Sequence, residues 1–193
     1  MKHSLSEIQG SFLVTEEPSA HIRFLGARLA WLLLLLTPLC LTACRSPEPP
    51  LVNAPDRIVI VKSAHVMFLL RGSQVLKTYK VALGRGSRGA KERSGDHRTP
   101  EGEYLVDSKR DRSRFYRALH ISYPNPVDIQ RAKNLGVDPG SAIEIHGLPP
   151  VLAWLGRLHL VVDWTDGCIA VTNPDMAEIW TLVAVGTPVE IRH

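Results

Sequence analysis

Cys168 is the residue of this chain best placed to do chemistry. It follows the turn Trp164-Thr165-Asp166-Gly167 and precedes the apolar Ile169-Ala170-Val171. A glycine before a nucleophile lets backbone N–H groups close on an oxyanion forming at a substrate carbonyl, which makes Gly167 the candidate for that place. A thiol of ordinary pKa, about 8.5, needs a base or a cation beside it to attack as thiolate at neutral pH. Imidazole is the natural partner, and the chain holds eight histidines. His146 ends the apolar run Ile143-Glu144-Ile145 and is followed by Gly147, so it stands where a strand opens into a loop. His159 heads Leu160-Val161-Val162 and reads as strand-embedded and structural. His120, in Leu119-His120-Ile121, either lines the site or is a satisfied, half-buried residue. Zinc held by Cys168, His146, His159 and Asp163 is a competing reading, but these residues lack paired-ligand spacing. An inert cysteine packed as a small hydrophobe is the other.

The remaining cysteines strengthen the reactive reading. The chain has three, at 40, 44 and 168. Cys40 and Cys44 close an apolar block running from Leu29 through Leu32–Leu36 to Leu41-Thr42-Ala43-Cys44, with Arg23 and Arg28 ahead of it. The block is about sixteen residues long, marginal for crossing a bilayer core, and Pro38 interrupts it. A positive flank, an apolar centre and a small-residue end are the parts of a secretory signal, here residues 1–43. The ending resembles a bacterial lipobox, which implies acylation of Cys44 after cleavage. Two or more acyl chains anchor stably, each buried CH₂ contributing about 0.8 kcal/mol. Arg45 after the cysteine fits sorting to the outer membrane. Cys168 is then the lone free thiol of an exported protein.

Residues 44–56, with Pro47, Pro49, Pro50 and Pro55, cannot form a core and read as an extended tether of about 3.1 Å per residue. From residue 57 to 193 the pattern is that of a mainly β domain with a small α component. Strand signals cover Ile58–Val61, Val66–Leu70, Val75–Ala82, Glu103–Asp107, Arg117–Ser122, Ala142–Ile145 and Pro188–Arg192, the second and third joined by a Gly72-Ser73 turn. Helices are expected over Asp128–Leu135, stopped by Gly136, and from an Asn173 N-cap to Val185, stopped by Gly186. Composition is ordinary, 45% hydrophobic and 22% charged. The net charge of +4 is far from the basic stripe of a nucleic-acid binder.

Ile145-His146-Gly147, Thr165-Asp166-Gly167-Cys168-Ile169 and Thr99-Pro100-Glu101-Gly102, in this order and combination, resemble the YkuD-type L,D-transpeptidase catalytic domain. Leu119-His120-Ile121-Ser122-Tyr123-Pro124-Asn125 and Ala170-Val171-Thr172-Asn173 resemble its Gram-negative murein branch. The resemblance spans about residues 57–192. It implies a β-sandwich-like barrel, peptidoglycan stem peptides as substrate, and no cofactor or metal. By motif position it makes Cys168 the nucleophile, His146 the general base and the amides around Gly167 and Cys168 the oxyanion donors. Gly147, His120 and Tyr123 are implied to contact substrate. The chain departs from the family in two places. Asp166 stands where the family often has His, and reads as a turn residue rather than an orienter of imidazole. Ala170 stands where the family often has Arg. The basic run Arg85, Arg88, Lys91, Arg93, Arg98 either replaces that Arg or is a solvated face.

Three function classes follow: transpeptidase, hydrolase of the same bonds (including release of murein-bound protein), and a murein-binding lipoprotein without chemistry. The intact Cys168 and His146 count against the last. If Cys44 is acylated, Cys44→Ala releases the protein from the membrane fraction and leaves the leader uncleaved or miscleaved. A wild-type protein recovered soluble and free of lipid contradicts the anchor.

Overall fold

A computed structural model describes residues 54–193; the signal, Cys44 and all but the end of the tether lie outside the described residues. Eight strands form one mixed sheet: β1 (Arg57–Val61), β2 (Val66–Arg71), β3 (Gln74–Lys80), β4 (Gly102–Arg112), β5 (Tyr116–Ile121), β6 (Glu144–His146), β7 (Ile169–Ala170) and β8 (Pro188–Arg192). Their order is β3-β2-β1-β8-β4-β5-β6-β7. The pairs β1–β8 and β6–β7 are parallel and the others antiparallel. The β-branched runs account for the architecture: Ile58, Val59 and Ile60 are all buried, as suits a strand with neighbours on both edges. The mainly β fold expected from the sequence is present.

Two helices complete the domain. In α1 (Pro126–Leu135), Asn125 accepts from the Val127 and Asp128 amides while Asp128 accepts from the Asn125 amide, a reciprocal cap. The helix starts two residues before the sequence expectation because Pro126 fits its first turn. In α2 (Asn173–Leu182) the N-cap is Thr172, not Asn173: Thr172 Oγ1 accepts from the Asp175 amide at 3.2 Å. Asn173 is already helical, so its carboxamide is free for another use. The helix also ends at Leu182 rather than Val185. Met176 and Ile179 of α2 pack into the core with Leu119, Ile121, Ile145 and Ile169.

One stretch departs from expectation. Residues 150–161 form a 3-10 segment, Pro150–Val161, broken at Gly156 (φ 48°), so His159 lies in a helical turn and not in a strand. Pro149 and Pro150 remove two ladder donors at its start, which opposes strand pairing despite the β-branched content.

Because side chains alternate along strands, the second half of the sheet has two unlike faces. Leu119, Ile121, Ile145 and Ile169 face α2 and the core. Register places Ala118 against His146, His120 against Glu144 and His146 against Ala170, so these residues share the opposite face. Cys168 precedes β7 by one residue and belongs by alternation to that same face.

Candidate active site

His146 is fully buried at the end of β6. Its Nδ1 lies 2.7 Å from the Gly147 carbonyl oxygen, an atom that only accepts, so Nδ1 carries the proton and Nε2 is left with its lone pair. Nε2 has no hydrogen-bond partner among the described residues. Phe115 stacks on the ring at a centroid distance of 3.9 Å and 20° between planes, and Trp164 meets it edge-on at 5.9 Å. The orienting group of this imidazole is therefore a backbone carbonyl, not a carboxylate. Burial among apolar rings pushes its pKa down to about 4, outweighing the Gly147 hydrogen bond.

The loop after His146 is held from α2. Asn173 Oδ1 accepts from the Leu148 amide at 2.6 Å. A Cβ on Gly147 would lie 2.4 Å from that oxygen and 3.0 Å from the Tyr116 carbonyl, so only glycine fits. Gly147 thus acts through its carbonyl and its lack of a side chain.

The nucleophile turn is built with comparable constraint. Thr165 Oγ1 donates to the Cys168 carbonyl at 2.7 Å and accepts from the Gly167 amide at 3.2 Å. The Gly167 N–H is thereby engaged, whereas the Cys168 N–H has no partner among the described residues. Gly167 has φ +127°, and a Cβ there would sit 2.8 Å from the Arg98 carbonyl. A Cβ on Gly84 would come within 3.0 Å of the Gly167 Cα. The two glycine backbones cross where side chains cannot. Ahead of the turn, Asp163 Oδ1 accepts from the Leu83 amide at 2.7 Å and its Oδ2 lies 3.0 Å from His65 Nε2.

Cys168 Sγ donates over 3.8 Å to the carbonyl of Ala142, itself in a left-handed conformation with φ 59°. Burial pushes the thiol pKa up to about 11; a hydrogen bond from the Glu144 backbone lowers it, and the charges of Glu144 and Asp166 add to the rise. Thiol and imidazole both rest neutral at pH 7.

The other sequence candidates divide. His120 lies on the site face, its Nδ1 2.6 Å from Asp107 Oδ1. Tyr123 does not: it is 4% exposed, packed edge-on to Tyr104, and its hydroxyl donates to the Pro139 carbonyl at 2.7 Å. Packing, not substrate contact, accounts for it. His159 Nδ1 accepts from Trp164 Nε1 at 3.3 Å. With Asp163 turned to His65 and His159 to Trp164, the zinc reading is not assembled, and no such group of ligands occurs among the described residues. Asp166 is more than a turn residue. Its Oδ1 accepts from Arg85 Nη2 at 2.9 Å and lies 2.9 Å from His97 Nδ1, contacts that hold its carboxyl below the usual range. Nor is the basic run a uniform solvated face: Lys91 is 5% exposed and donates to Asp96 Oδ1 at 2.7 Å. Sequence reasoning missed Phe115, Asn173 and Glu144 as site residues. Only Glu144 carried a signal, two positions before His146 on the same strand face.

These residues fall inside a match to the YkuD family model, described as L,D-transpeptidase catalytic domain, over residues 55–191. The chain belongs to this family. It is 31% identical over 140 residues to "Putative L,D-transpeptidase YafK" of Escherichia coli K12, covering 69% of this chain and 49% of that protein. The chain thus spans about half the length of the curated relative it matches. Among solved structures it resembles the helical cell shape determining protein Pgp2 of Campylobacter jejuni, with a TM-score of 0.54 at 23% identity, covering 70% of this chain and 46% of that one. It also resembles Bd1075 of Bdellovibrio bacteriovorus, with a TM-score of 0.51 at 22% identity, covering 72% and 48%. Those two likenesses concern the fold.

A thiol whose pKa lies near 11 alkylates faster with every step of pH toward that value. The rate of Cys168 alkylation by iodoacetamide, followed by mass, is expected to climb continuously from pH 7 to pH 10. A plateau reached by pH 8 contradicts the neutral resting thiol.

Proposed function

We propose that this protein is a cysteine-dependent L,D-transpeptidase that acts on peptidoglycan stem peptides through a thioester on Cys168. The observation that carries this reading is the unpartnered Nε2 of His146, held as an acceptor by the Gly147 carbonyl on the sheet face that bears the thiol. A buried acceptor left empty costs free energy, and a thiol proton in transit is what it would receive.

The steps follow from these atoms. Rotation about χ1 carries Sγ from the Ala142 carbonyl toward Nε2, a tightening expected on substrate binding. As the C–S bond forms, the thiol proton passes to Nε2 and the carbonyl oxygen becomes an oxyanion facing the free Cys168 amide. Collapse expels the leaving amine, which takes the proton from Nε2, and the thioester remains. An acceptor amine then attacks and gives its proton to Nε2, and as the C–S bond breaks and the new amide forms the departing sulfur takes that proton back, restoring thiol and neutral imidazole. Burial pushes the thiol pKa up and the imidazole pKa down, so transferring the proton before attack is disfavoured at both groups. Proton transfer and bond formation therefore proceed together. Phe115, Trp164 and Leu148 form apolar surroundings that favour an amine over bulk water as acceptor. In this reading the acylated Cys44 holds the enzyme at the outer membrane.

The direct test is incubation with a purified stem tetrapeptide and an acceptor amine, with all species identified by mass. A single acyl adduct on Cys168 and a cross-linked product are expected. Cys168→Ser abolishes both, and His146→Gln slows acylation about 10²- to 10⁴-fold, the scale of a lost general base. Cross-linking that survives in Cys168→Ser contradicts the mechanism. Hydrolysed peptide as the sole product converts the reading to a hydrolase.

A further inference from the structure

The 3-10 segment Pro150–Val161 is apolar on both its inner and its outer side. Inward, Leu155 is half-buried and His159 is buried, its Nδ1 accepting from Trp164 Nε1. Outward, Val151, Trp154, Leu158 and Val161 are between 67% and 79% exposed. An apolar groove of about 350 Å³, lined by Leu148, Leu152, Leu155 and Trp164 among others, opens beside them. No Asp or Glu occurs from residue 147 to residue 162. Arg157 is the segment's one full charge, exposed and with its guanidinium unpaired among the described residues. A second exposed cation stands nearby: Arg114 lies over Phe115 at 5.9 Å, and Phe115 is 6.3 Å from Trp164. Asp163, the acid that follows, is engaged by the Leu83 amide and His65.

A helical segment that is apolar all round belongs in a buried place. Single exposed apolar residues are ordinary, but a contiguous group of them with no acid in it marks a contact surface. The residue types point to lipid as the partner. Tryptophan settles at the headgroup level of a bilayer, valine and leucine reach the acyl boundary, and unpaired arginines match lipid phosphates. No helix among the described residues is long and apolar enough to cross a bilayer, so contact here means lying in the interface. The chain ahead of the domain supplies the proximity. Ten residues separate Cys44 from Ala54, so an acylated Cys44 holds the domain within about 36 Å of the bilayer, the reach of that many extended residues. At such a distance the local concentration of lipid is high, and a surface of modest affinity stays bound.

We propose that Pro150–Val161 is a membrane-docking surface, laid on a phospholipid layer with Trp154 among the headgroups and Arg157 on their phosphates. This goes beyond the transpeptidase reading and takes from it only the acylated Cys44. The acyl chains and the segment divide the work: the chains hold the protein at the bilayer, and the segment sets which way the domain faces. Trp164 meets both His159 of the segment and the ring of His146 edge-on. Docking therefore also places the catalytic end of the sheet on the membrane side of the domain.

The test reads tryptophan fluorescence of the mature protein, its Cys44 checked for acyl chains by mass. The protein is placed in vesicles of phosphatidylethanolamine and phosphatidylglycerol, with or without bromine on the acyl chains. Bromine quenches a tryptophan only at close range. Quenching is expected in the wild-type protein and is expected to fall at least about threefold in Trp154→Phe. The pair Val151→Asp and Val161→Asp, which keeps every tryptophan, is expected to lower it as much, because two charges oppose entry into the interface. All three positions are exposed, so circular dichroism is expected to stay unchanged. Absence of quenching in the wild-type protein overturns the docking surface, and so does equal quenching in Trp154→Phe. A dimer that the paired Asp substitutions split, with Trp154 shielded from the brominated lipid, overturns it in favour of a second copy. A mature chain without acyl groups overturns the anchor alone; the same quenching, read with vesicles in excess, then decides the segment.

Discussion

A buried imidazole with a fixed proton is the constraint on which the rest of this structure depends. His146 has no solvent to share its protons with, so its tautomer is set by the Gly147 carbonyl at 2.7 Å. That carbonyl is in place because the loop after β6 is gripped by Asn173 at the start of α2, through a contact that allows no side chain on Gly147. Asn173 in turn is available because Thr172 does the capping. Phe115, from the turn between β4 and β5, covers the ring face. Three separated parts of the chain thus fix one nitrogen lone pair.

The arrangement ties catalysis to stability. The folded-state pKa of His146 is about 4, below the ordinary value of 6.5, so the unfolded chain takes up a proton that the folded protein refuses in between. Stability from this group is full above about pH 6.5 and is lost as pH falls to about 4, on the order of 3 kcal/mol in all. Below pH 4 both states carry the proton and no more is lost. A resting site with neutral thiol and neutral imidazole also makes Cys168 a poor nucleophile towards small electrophiles, which protects it from adventitious oxidation.

Much of this could be read from the amino-acid order, and the failures have physical causes. Strands with β-branched runs, such as Ile58–Val61 and Pro188–Arg192, matched because burial and strand preference point the same way. Ile143-Glu144-Ile145-His146 carried more than one message: its alternation puts both polar residues on one face, the face with Cys168. The stretch His159-Leu160-Val161-Val162 misled because its composition is that of a strand, while Pro149, Pro150 and Gly156 upstream decide the backbone. Its Val161 and Val162 remain largely exposed, as no partner strand covers them. The Lys91–Asp96 pair and the Phe115 stack were illegible, since both depend on loop paths that local pattern does not encode. Tyr123 shares a motif with His120, yet the odd positions of that strand face the core.

Catalysis as described depends on the protonation state of His146, and histidine-selective ¹⁵N NMR of the wild-type protein across pH reads it most directly. The result required is a single ring protonated at Nδ1 and unprotonated at Nε2 at pH 7, with its titration midpoint near 4 and no imidazolium signal above about pH 5.5. A proton found on Nε2 at pH 7 would contradict it, because Nε2 could then not receive the thiol proton, and a midpoint at the ordinary 6.5 or higher would contradict the desolvated imidazole on which it rests.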